Sequence, residues 1–136
     1  MQLEFTFEAP KQLELKPGGL NLDGLVRKTL KTALQECKEG RAVIAEKASL
    51  YSGRNITENN FNAWCAPSRT AWQLPFHLVP AIESALETYC LTNMLAEVRG
   101  AKMLIGEDAL MAELGKLERI AQEVKIAKAT LKRRLA

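Results

Sequence analysis

Apolar residues recur at helical intervals through most of the chain, and turn residues punctuate them. Leu22, Leu25, Val26, Leu30 and Leu34 share one face of a helix that Asp23 caps, which runs to about residue 38 and ends at Glu39-Gly40. A second helix follows in "RAVIAEKASLY", with Val43, Ile44, Ala48 and Leu50 or Tyr51 as its buried stripe. Ser52-Gly53-Arg54-Asn55 makes a turn, and Thr57 is the next natural N-cap, so a third, short helix spans 58–65. On it Phe61, Trp64 and Cys65 face inward and Ile56 packs just ahead of the cap; Asn59, Asn62, Ala63 and Ala66 face outward. Pro67 stops this helix, and a loop leads to Pro75, which begins a helix through residue 86 that Pro80 breaks or kinks. A helix over 88–98 comes next, then the connector "AKMLI" between Gly100 and Gly106.

The two ends differ from this middle. Residues 2–7 and 12–15 alternate polar and apolar around Ala9-Pro10 and before Pro17-Gly18-Gly19, the pattern of a short β-hairpin or of a flexible arm over 1–20. Residues 107–135 read as one long helix. Leu110, Leu114, Leu117, Ala121, Val124, Lys128, Leu131 and Leu135 follow each other at alternating steps of four and three, a heptad seam with one lysine in it. A domain of short helices over 21–99 leaves little surface to cover so long a stripe. Self-association into a dimer or higher oligomer is the expectation, through Leu110, Leu114, Leu117, Ala121, Val124, Leu131 and Leu135; folding back on its own domain is the alternative. The fold class is all-α.

Composition excludes more than it selects. At 136 residues, 47% hydrophobic and 26% charged, the chain fits a single ordinary globular domain. The net charge of +3 is mild but uneven. From residue 48 to 82 the sole acid is Glu58, while after Glu123 the chain carries Lys125, Lys128, Lys132, Arg133 and Arg134 and no acid. Such local fields attract polyanions, although a basic tail can equally be a solvated end. Cys37, Cys65 and Cys90 are scattered and His77 is the one histidine, so neither a zinc site nor any other metal or cofactor is expected, and the thiols are read as reduced. No segment has the length of a membrane span and the first residues do not form a signal peptide, which points to a cytoplasmic protein. No nucleophile, acid/base pair or phosphate loop stands at a recognisable spacing, so an enzyme is not expected.

The asparagines of "NITENNFNAW" are the unusual feature, four in ten residues on a helix that such amides disfavour. Two short helices joined by a glycine-containing turn, the second polar outside, form a helix-turn-helix at about 41–66. An asparagine amide donates to and accepts from the major-groove edge of adenine at once. Thr57, Asn59, Asn60 and Asn62 are therefore the candidate readers of double-stranded DNA. Arg41, Lys47, Arg54 and Arg69, with Ser68, are candidate backbone contacts that set register. Trp72 is assigned to the core, with a partner contact or a wing as the alternatives.

The stretch from "IAEKASLYSGRNITENNFNAW" through "LMAELGKLE" resembles small phage and prophage regulators similar in role to the CII activator of phage lambda. The resemblance rests on Gly53-Arg54, Ile56-Thr57, Phe61, Trp64, Ser68-Arg69 and Pro75 with Val79-Pro80, and covers about residues 42–118. It implies an N-terminal helix-turn-helix and a helical oligomerisation tail in a transcriptional regulator. The rival expectation is a helical protein-interaction module, such as a toxin–antitoxin component or a phage-encoded inhibitor, whose asparagine face binds protein.

Overall fold

The computed structural model describes residues 8–136. Its helices are α1 (Asp23–Glu36), α2 (Arg41–Ser52), α3 (Glu58–Cys65), α4 (Val79–Leu86), α5 (Cys90–Val98) and α6 (Glu107–Leu135), with a single 3-10 turn at Phe76–Leu78. Among the described residues there is no strand, only one isolated bridge, so the protein is all-α. The chain divides into two units, one through Lys102 and one at Met103–Ala136.

In the first unit the core gathers Leu30 and Leu34 of α1, Ile44, Ala45 and Ala48 of α2, Ile56, then Phe61, Trp64 and Cys65 of α3 and Ile82, Ala85 and Leu86 of α4. A smaller cluster of Leu91, Met94 and Val98 lies on α5, with Leu22, Val26 and Leu74 packed against it. On α2 the inward stripe is narrower than the sequence pattern implies. Ile44, Ala45 and Ala48 are buried, whereas Val43, Leu50 and Tyr51 are exposed. The alanines give α4 a close seat on one side of α2, which turns the bulkier side chains outward. Leu25 of α1 is likewise exposed, and the place a third apolar residue would take on the Leu30–Leu34 stripe belongs to Arg27, which is buried.

Helix boundaries follow local chemistry. Asp23 is the first residue of α1 rather than its cap, and its N–H donates to Asn21 Oδ1 at 3.2 Å. The helix stops at Glu36 because Cys37 turns extended, and Gly40 serves as the N-cap of α2 instead of terminating α1. Gly53 ends α2 with φ 68°, a left-handed conformation that costs glycine little. Pro80 causes no kink. The 3-10 turn ends at Leu78, so Pro80 falls in the first turn of α4, where no intrahelical acceptor awaits an N–H.

Residues 2–7, one arm of the expected hairpin, lie outside the described residues. The other arm meets the end of α5: Gln12 forms an antiparallel bridge with Arg99, and the Leu13 N–H donates to the Val98 carbonyl at 3.1 Å. Gly100, with φ 72°, permits this approach, since a Cβ there would run into the backbone of Lys11 and Gln12.

The second unit consists of a connector and α6, whose 29 residues include none that is buried. Glu107 and Asp108 occupy its first turn and Lys132, Arg133 and Arg134 its last, each complementing the helix dipole. No helix among the described residues is long and apolar enough to cross a membrane.

Candidate nucleic-acid interface

The Ser49 hydroxyl ties the turn between α2 and α3 to the entrance of α3. Ser49 Oγ accepts from the Ile56 N–H at 2.9 Å, and its proton is shared between the carbonyls of Ala45 at 2.7 Å and Ile56 at 2.9 Å. Ile56 is thereby pinned into the core at the entrance to α3. The helix itself opens with a reciprocal cap. Asn60 N–H donates to Thr57 Oγ1 at 3.2 Å, while the Thr57 N–H and hydroxyl donate to Asn60 Oδ1 at 2.8 and 2.9 Å. Two of the four candidate readers, Thr57 and Asn60, thus have partners in this cap; Thr57 is exposed and Asn60 only partly so. One large aromatic pair anchors the inner face, Phe61 and Trp64 meeting edge to face at 5.7 Å.

Asn59 and Asn62 project outward, three residues apart on one face of α3. Asn62 Oδ1 accepts from Arg41 Nη1 at 2.7 Å, which brings the first residue of α2 to the same surface. Asn59, Asn60, Asn62, Ala63, Arg69 and Trp72 line one recess. Ala63 was expected on the outer face but is buried. Its carbonyl accepts from Arg27 of α1 at 3.1 Å. Trp72 was expected in the core but is 53% exposed, its backbone rather than its indole being held by the fold.

Arg27 is the residue that positions this surface, and sequence reasoning missed it. Its Nη1 donates to the carbonyls of Ala63, Trp64 and Ala66 at 3.1, 3.3 and 3.0 Å, at the C-terminal end of α3. Its Nη2 donates to the carbonyls of Arg69 and Trp72 at 3.1 and 2.8 Å. Nε is held by both carboxylate oxygens of Asp23 at 3.1 Å. All five N–H donors are used, and a full positive charge sits where the dipole of α3 is negative. The turn carrying Arg69 and Trp72 is thus tied to the same guanidinium as α3. The signal was present in the sequence: an arginine three and seven residues before Leu30 and Leu34, four after an aspartate. Glu83, also buried and also unanticipated, accepts from the N–H groups of Leu91 and Thr92 and from the Thr92 hydroxyl, and so caps α5.

The candidate backbone contacts do not form one group. Arg41 and Arg69 border the asparagine face directly, and Ser68 lies exposed in the turn before Arg69. Arg54 borders a separate recess with Tyr51, His77, Pro80 and Ser84. Lys47 is paired with Glu39 at 2.7 Å, and the hydrogen bond to that carboxylate holds its ammonium above the usual lysine range. Its charge is therefore compensated within the fold. Burial pushes the Cys65 thiol up against the pull of Arg41, Lys31 and Arg27, which keeps it protonated and unreactive at neutral pH. Among the described residues no cluster of His, Cys, Asp or Glu could hold a metal ion.

Compared with protein-family models, curated proteins and solved structures, the chain matches none.

Proposed function

We propose that this protein is a sequence-specific double-stranded DNA-binding transcriptional regulator of the phage or prophage type, with α3 as its reading helix, self-associating through α6. The observation that carries the reading is the division of α3: Phe61, Ala63, Trp64 and Cys65 inward, Asn59 and Asn62 outward beside Arg41 and Arg69. With its side chains an α-helix is about 10–12 Å across, a fit to the width of the major groove. The cap at Thr57 and Asn60 and the clamp at Arg27 hold α3 rigid before any ligand arrives, which lowers the ordering cost of binding. In this role Asn59 and Asn62 read base edges, Arg41, Ser68 and Arg69 contact phosphates, and Trp72 flanks the groove.

The exposed indole of Trp72 beside the amides favours a second reading, a surface for a protein partner. Salt separates the two. Selection of duplexes from a randomised library, followed by binding at several salt concentrations, should return a consensus. Affinity should fall with a log–log slope of about −0.9 for each phosphate contacted. No consensus and a flat salt response would favour the protein-binding reading. Arg69→Ala should weaken selected and random duplexes alike and reduce that slope by about 1.

A further inference from the structure

α6 carries an exposed apolar seam. In heptad notation Leu110, Leu117, Val124 and Leu131 occupy d, and Leu114, Ala121, Lys128 and Leu135 occupy a. Leu110, Leu117 and Leu131 are each more than 60% exposed and no residue of the helix is buried. The charges on the same helix are segregated. Residues 107–123 carry five carboxylates and two cations, a net −3, whereas residues 124–135 carry five cations and no carboxylate, a net +5.

We propose that α6 pairs with α6 of a second copy of this chain, antiparallel and in full overlap. The proposal builds on the self-association in the reading above and on nothing about DNA. Antiparallel pairing sets the acidic half of each helix against the basic half of the other; parallel pairing sets like against like. The flanking positions make the same choice. In a parallel pair Glu113 at g meets the second copy's Glu118 at e, a like-charge contact made twice. In the antiparallel pair g faces g and e faces e, so Glu113 meets the second copy's Arg134 and Glu118 its Lys125, each twice.

The lysine in the seam decides in the same direction. Parallel pairing would place Lys128 against Lys128 inside the interface. The antiparallel register that opposes Leu110 with Leu135, and Leu114 with Leu131, puts Lys128 against Leu117. There its methylene stem covers the leucine and its ammonium reaches the rim. Ala121 then meets Val124 beside the two-fold axis, where small side chains allow close approach. The contact is isologous and closes as a dimer. Ile126 lies outside this seam and remains exposed. Since 29 residues span about 43 Å, the chain enters the two paired helices at opposite ends rather than side by side.

The test is sedimentation equilibrium of the full-length protein at low salt, with charge reversals at exposed positions. Wild type should be dimeric. Glu113→Lys with Glu118→Lys should raise the dissociation constant about 10- to 100-fold, and adding Lys125→Glu with Arg134→Glu should restore it. Far-UV circular dichroism of each full-length variant at high protein concentration guards against unfolding as the cause. Leu110→Cys under mild oxidation should give no covalent dimer beyond the wild-type level, because it faces Leu135 of the second copy. A monomer at high micromolar concentration, an unchanged dissociation constant for the first double variant, failure of the fourfold variant to recover, or efficient cross-linking through Leu110→Cys would each overturn the proposal. A parallel pair predicts the second and fourth of these results, so orientation is read separately from assembly.

Discussion

Helices α3 and α6 both carry an apolar stripe, yet α3 buries four of its eight residues while the 29 of α6 bury none. The difference does not lie in the strength of the pattern, which is longer and more regular in α6. It lies in what surrounds each helix. The short helix is fixed from three directions, by the Ser49 hydroxyl at its entrance, the Thr57–Asn60 cap at its first turn and the Arg27 guanidinium at its last. The long helix holds its shape through its own backbone ladder, with a weak Lys116–Glu113 pair at 3.2 Å on its surface. An apolar period therefore names a face without naming its cover. Polar ties decide which short helices become rigid enough to present side chains to a ligand.

The most damaging way to break this contrast is at Arg27. Arg27→Ala leaves five carbonyls and the Asp23 carboxylate without their donor and should cost about 3–5 kcal/mol in urea unfolding. Arg27→Lys should recover little, because an ammonium cannot fork to both ends of the turn. A loss below about 1 kcal/mol would show that the clamp is dispensable. Trp64→Ala should cost a similar or slightly smaller amount, about 3–5 kcal/mol, since the indole is buried against Phe61. Circular dichroism melting checks it; an unchanged midpoint with lost binding would make Trp64 a contact residue and invert the facing of α3. Glu83→Ala removes the acceptor for two N–H groups at the start of α5, and a loss of about 1–3 kcal/mol is expected by the same melts.

At the far end of the scale stands Leu117→Ala. Both tryptophans belong to the unit through Lys102, so their fluorescence reports the unfolding of that unit. In dilute protein the substitution should shift this unfolding by no more than about 0.5 kcal/mol, as for an exposed position. A cost on the scale of Trp64→Ala would mean that Leu117 belongs to the first unit's core, and the contrast between α3 and α6 would fail.

Much of this was legible in the sequence. Thr57 and Pro67 set the limits of α3, and Phe61 with Trp64 gave its inner face, because caps, breakers and large aromatics act locally. The span of α6 was equally readable from its heptads. What escaped was non-local. Helical spacing sets Ala63 on the outer face with the amides, yet it is buried, and its carbonyl accepts from Arg27 of α1. Trp72 was placed inside because tryptophans usually are, yet its segment is held by a carbonyl, which no side-chain pattern records. Arg27 was passed over because a charged residue within an apolar stripe reads as an interruption. Its acceptors lie about forty residues further along the chain.

The reading of α3 as a recognition helix is tested most directly by the ratio of affinities for selected and random duplexes, measured for Asn59→Ala beside wild type. Asn59 is exposed and takes part in none of the side-chain hydrogen bonds that build α3, so the fold should be untouched. The ratio should fall by a factor equivalent to about 1–3 kcal/mol, with affinity for random duplex unchanged. Equal losses on both duplexes, or no loss on either, would contradict direct readout by this face.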